Sequence, residues 1–95
     1  MSDLVRQFFK EVDAEVFKTY SSNPNVGVLC DDFHYDAGIN EYVLKVNLWR
    51  KGCDSVLYVL MGRIVGDSMS LSVGDVLGEV KRSVDDFLLG AGVKV

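Results

Sequence analysis

The chain is poor in several things that would decide its class at once. It has two cysteines, Cys30 and Cys53, in 95 residues. Two thiols that far apart make neither a disulfide scaffold nor a zinc site, so reduced cysteines in a cytoplasm are expected. It has one proline, Pro24, and one histidine, His34. A single imidazole leaves little for metal binding or for nucleophile–base chemistry. The longest apolar run, Val56 to Met61, is far short of the ~18 residues that span a bilayer. No basic segment followed by an apolar stretch opens the sequence, so no signal peptide is expected. Phosphate-cradling glycine loops and dinucleotide fingerprints are absent too.

Positive charge is the most informative shortage. Fourteen acids against ten bases give a net charge of −4. Nucleic-acid binders draw most of their affinity from phosphate contacts, so this balance argues against direct nucleic-acid binding. Between Lys18 and Lys45 there is no Lys or Arg, yet Asp31, Asp32, Asp36 and Glu41 fall there. Removing those four acids leaves ten acids against ten bases, so the whole net charge sits in one segment.

What is present is enough apolar material for a core. Apolar residues are 48% of the chain and charged residues 25%, as in an ordinary globular domain. The length fits one domain over residues 1–95. Residues 2–20 predict an amphipathic helix, with Ser2 as N-cap and Asp3 in the first turn. Its apolar positions are Leu4, Val5, Phe8, Phe9, Val12, Val16, Phe17 and Tyr20. The Ser21–Asn25 segment, with Pro24, ends it.

Three strands are expected next. The first runs over about 26–35. Its alternation changes phase, with Val26, Val28 and Cys30 on one face and Phe33 and Tyr35 continuing the other; a β-bulge near Asp31–Asp32 reconciles them. A turn over 36–40 leads to a second strand, 41–50. There Tyr42, Leu44, Val46 and Leu48 face one way, and Val43, Lys45, Asn47 and Trp49 the other. Lys51–Asp54 closes a hairpin, and the third strand, 55–65, is apolar on both faces. A second helix is expected over 73–89, with Ser72 and Asp75 resembling a capping box, Gly90 as C-cap and a short tail at 91–95. The fold class is therefore α+β, in the order α-β-β-β-α. Two helices pack on one face of a three-stranded antiparallel meander. The double-stranded-RNA-binding domain has this element order. It depends on basic residues at the start of its last helix, where this chain reads Ser70-Leu71-Ser72-Val73-Gly74-Asp75.

No residue set stands out as catalytic. Asp32, His34 and Asp36 share a strand face at a spacing that could bind a divalent cation, but a polar strand edge beside a turn explains them more simply, and no metal or cofactor is expected. Cys30 and His34, four positions apart on one strand, are about 13 Å from each other, too far for a nucleophile–base pair. Gly74 and Gly78 on the second helix read as a flat patch for close packing. They also allow a helix contact between subunits. Apolar residues on the sheet face opposite the helices are in surplus. Val43 and Trp49 lie there, with either Leu57, Val59 and Met61 or Val56, Tyr58 and Leu60. Such a patch marks a partner or a second subunit.

These features predict a small acidic, non-enzymatic binding protein. Its partner would be another protein with a basic surface, reached in the cytoplasm. Asp31, Asp32, Asp36, Glu41, Trp49 and Met61 are the expected contact residues. In size and acidity the chain resembles the small inhibitors that phages encode against host nucleases, such as anti-restriction and anti-CRISPR proteins. That resemblance implies that it blocks a nucleic-acid-binding groove. The alternative is a homodimer or assembly subunit, held through the open sheet face or the Gly74/Gly78 surface.

Overall fold

A computed structural model describes residues 3–90. Helix α1 spans Asp3–Tyr20. Strands β1 (Gly27–Asp36), β2 (Glu41–Arg50) and β3 (Cys53–Gly62) follow. A two-stranded ribbon, β4 (Ile64–Val65) and β5 (Ser68–Met69), then leads to helix α2 (Val73–Gly90). The three long strands form one antiparallel sheet in the order β1-β2-β3. This is the α+β arrangement that the pattern predicts. The N-cap assigned to Ser2 and the tail at 91–95 lie outside the described residues. Among the described residues no helix is long and apolar enough to cross a membrane.

The helices form because each has one stripe to bury. Val5, Phe8, Val12 and Val16 of α1 recur at intervals of three and four and are buried; Val76, Val80 and Val84 do the same in α2. Their counterpart is the centre of β2, where Leu44, Val46 and Leu48 are buried beneath them. Phe33 of β1 stacks at 5.0 Å on Phe9 and edge-on at 6.4 Å to Tyr42. Each such side chain contributes roughly 1.5–3 kcal/mol by leaving water. Among the described residues no polar or charged side chain is buried with them. Phe17 departs from the expected stripe. It is 69% exposed at the last turn of α1.

Register follows from three backbone devices. The β1–β2 pairing shifts between Cys30 and Asp32, so Asp31 is an extra residue, as the phase change predicts. The β2–β3 pairing shifts between Tyr42 and Val43, and here Met61 is the extra residue on β3. Third, β3 stops at Gly62 rather than continuing to Val65. Gly62 sits at φ +87°, and a Cβ there would meet Ser70 Oγ at 2.5 Å. Only glycine makes that corner, and the chain leaves the sheet to form the β4–β5 ribbon. Ser70 closes the ribbon: its hydroxyl accepts from Arg63 N–H at 2.9 Å, and its own N–H donates to Arg63 C=O at 2.7 Å.

The open sheet face as candidate binding site

Both helices pack on one face of the sheet, which leaves the other uncovered. The alternation of β2 assigns the two sides. Leu44, Val46 and Leu48 point to the helices; Val43, Lys45, Asn47 and Trp49 point away. The register then carries Leu29 and His34 of β1 and Val56, Tyr58 and Leu60 of β3 onto the open face. Of the two β3 sets left open by the sequence, the structure takes Val56, Tyr58 and Leu60. Leu29, Trp49, Val56, Tyr58 and Leu60 are 45–62% exposed, with Trp49 lowest and Tyr58 highest. They lie on one face across three strands, with Asn47 and Lys45 of β2 set between the β1 and β3 side chains. Surfaces of this kind on soluble chains mark places where another molecule binds.

Two aromatic groups shape it. Trp49 stands opposite Gly27 in the β1–β2 register. A Cβ on Gly27 would run into the indole ring, so the missing side chain is what lets the ring lie across β1. At the other end, His34 and Tyr58 meet edge-on with ring centroids at 6.4 Å. With Ile39, Leu60 and Asp36 they surround a shallow depression floored by Val43. Val43 is only 6% exposed there although it faces away from the core.

Carboxylates rim the apolar surface. Asp31 and Asp32, the bulge pair, lie at the middle of the β1 edge, and the outer one is held by Lys45 at 3.2 Å. The acidic segment is thus not free of cations in the fold. Lys45, just past its end in sequence, crosses from β2 to Asp31. The pair is exposed and contributes about 0–1 kcal/mol. Asp32 accepts a hydrogen bond from Phe33 N–H at 2.8 Å. Asp36 accepts one from Gly38 N–H at 2.9 Å, fixing the turn, in which Tyr35 also donates its hydroxyl proton to Asn40. Asp36 and Glu41 oppose each other in register, so two carboxylates share the hairpin end.

The expectations for Met61 and for Cys30 with His34 need correction. Met61 is not a contact residue. It is 0% exposed, because it alternates with Leu57 and Val59 on the helix side of β3. The bulge at Asp31 also separates Cys30 from His34. They do not share a strand face, since the extra residue reverses the alternation between them. Cys30 points into the core, where burial and the nearby Asp13 carboxylate push its thiol up to about 12. Among the described residues no group of three or more His, Cys, Asp and Glu is placed to hold a metal ion.

The remaining predicted residues all lie on β1 and β2 but not in one place: Trp49 pairs with Gly27 at one end of the sheet, Asp31 and Asp32 lie at mid-edge, and Asp36 and Glu41 oppose each other at the other end. Leu29, Ile39 and His34, absent from the expected contact set, also lie on or beside the open face. Leu29 was readable from alternation with Val28 and Cys30, whereas Ile39 reaches the face only through the turn geometry. Gly74 and Gly78 also differ from expectation: a Cβ at Gly78 would meet nothing, and one at Gly74 would meet only Ser72 Oγ at 3.7 Å. They do not serve close packing inside the chain. No family model, curated protein or solved structure matches the chain.

Proposed function

We propose that this is a non-enzymatic binding protein that docks on another protein through its open sheet face. The observation that carries this reading is the set of exposed apolar side chains Leu29, Trp49, Val56, Tyr58 and Leu60 on one uncovered sheet face, with Asp31, Asp32 and Asp36 along its β1 side. Burial of Trp49 and Tyr58 would supply most of the binding energy, since aromatic anchors dominate interfaces. The carboxylate rim would select a partner with basic groups and speed its approach. A basic protein whose groove binds nucleic acid, met in the cytoplasm, is the partner that fits both features. The protein would then act by occupying that groove, in the manner of a small phage-encoded inhibitor.

The test uses the protein as bait on immobilised resin at low and at high salt, followed by titration of the recovered partner. Asp31→Lys with Asp32→Lys should leave the fold intact, because exposed charge changes alter stability by less than about 0.5 kcal/mol. The pair should weaken binding about tenfold or more, equivalent to roughly 1.4 kcal/mol. Trp49→Ala with Tyr58→Ala should abolish capture. Undiminished binding by both variants would reject the open face as the docking surface.

A further inference from the structure

The two edges of the sheet are built differently. β1 carries the Asp31 bulge and the acids Asp31, Asp32 and Asp36, the devices that keep strand edges from pairing with other chains. β3 has fewer of them. Of its ten residues Cys53–Gly62 only Asp54 is charged, there is no proline, and the one bulge lies at its very end. No strand among the described residues pairs with its outer edge. Beside that edge runs an open groove, with Tyr58 to Leu60 on one side and Gly74, Asp75, Gly78, Glu79 and Arg82 of α2 on the other. Side chains at Gly74 and Gly78 would stand in that space, and there are none.

We infer that the outer edge of β3 pairs antiparallel with β3 of a second copy, joining two sheets into one of six strands. The occupant is a second copy because the segment is complementary to itself. With the two-fold axis at Tyr58, Val56 faces Leu60 of the second copy on the open side. Leu57 faces Val59 of the second copy on the helix side. Asp54, the one charged residue of β3, falls outside the Val56–Leu60 pairing, so no like charges oppose each other within it. The same two-fold turns the groove lined by Gly74, Asp75, Gly78, Glu79 and Arg82 toward its counterpart in the second copy, with the two α2 helices antiparallel. Gly78 lets them approach. Because the β1 edges stay blocked, the pairing is isologous and closes at two copies. The dimer does not depend on what the open face binds; it doubles that face.

Sedimentation equilibrium of the full chain, from micromolar to millimolar concentration, reads the state directly. The expected mass at the upper end is twice the 10.5 kDa of one chain. Backbone amides between Val56 and Leu60 should lose hydrogen-exchange protection on dilution, while those of β1 do not. Val56→Lys with Leu60→Lys brings lysines opposite one another across the axis and should raise the dissociation constant at least tenfold. Tyr58→Lys alone gives a second route to the same result. Trp49→Ala, on the open face away from this edge, should leave the mass unchanged. A monomer at every concentration overturns the inference. So does a dimer that survives the lysine variants, or one that Trp49→Ala dissolves, since the contact would then lie on the open face.

Discussion

Gly27 and Trp49 stand opposite each other, and the indole occupies the space a β-carbon would need. Gly27→Ala should push the ring off β1. Trp49 is half exposed, so the ring can swing into solvent and stability should fall by no more than about 1 kcal/mol, the lower end for an overpacked contact. The expected signs are a red-shifted tryptophan emission and weaker partner binding at a nearly unchanged melting temperature. A large loss of stability with unchanged emission would mean that the ring stays in place. Met61 is the opposite case. It is fully buried, so Met61→Ala should cost about 2–5 kcal/mol through the cavity it leaves, measured by urea unfolding. The sequence placed Trp49 on the open face correctly because β2 alternates without interruption. It misplaced Met61 because β3 is apolar on both faces, so hydrophobicity alone could not say which of its two alternating sets turns to the helices.

The cysteines give a further residue-scale prediction. The Cys30 thiol is buried and raised to about 12, with burial the larger cause and Asp13 the smaller. Its thiolate is therefore scarce near neutral pH. Iodoacetamide should modify Cys53, which is partly exposed at the start of β3, while leaving Cys30 intact until the protein unfolds. The sign for stability follows. A thiol held neutral in the folded state contributes fully below the unfolded value of 9.0, and that contribution is lost as pH rises from there through the folded value near 12. Cys30→Ala should flatten the alkaline limb of the stability curve. Equal labelling of both cysteines in the native protein would contradict this placement.

At the scale of elements, α2 is fastened by a reciprocal pair of hydrogen bonds. Ser72 N–H donates to Asp75 at 3.0 Å, and Asp75 N–H donates to Ser72 Oγ at 3.0 Å. Ser72→Ala should cost about 1 kcal/mol, read from thermal unfolding. The backbone bond from Ser72, with a smaller share from its hydroxyl, holds the Asp75 carboxyl below its ordinary 3.8. This stabilisation is therefore complete above that ordinary value and is lost as pH falls through the lower folded one. The capping box was legible because both partners lie within four residues. The bulge in β1 was legible for a different reason: a period of two cannot pass through Asp31 with Cys30 and Phe33 both inside. The early end of β3 was not, because the constraint on Gly62 is Ser70, eight residues away, and contact at that range leaves no local pattern.

At the scale of the whole molecule, the asymmetry of the sheet governs what the protein can do. One face is sealed by two helices, and the other presents aromatic and aliphatic side chains beside carboxylates. That a face would remain open was readable from the count of helices against strands and from the two-sided apolar β3. Which side chains of β3 occupy it was fixed only by register. The charge of −4 was traced correctly to residues 31–41, but the pairing of Lys45 with Asp31 emerges only when β2 lies beside β1. Three of the four acids remain without an ion pair within salt-bridge distance among the described contacts, so the rim keeps a net negative field. The most direct measurement is a titration of the captured partner at low and high salt, with wild type, Asp31→Lys/Asp32→Lys and Trp49→Ala/Tyr58→Ala side by side. Docking through the open face predicts tight binding by wild type that weakens as salt screens charges over about 8–10 Å, a tenfold or greater loss for the lysine pair and no measurable binding for the alanine pair. Equal affinities for all three proteins at both salt concentrations would contradict it.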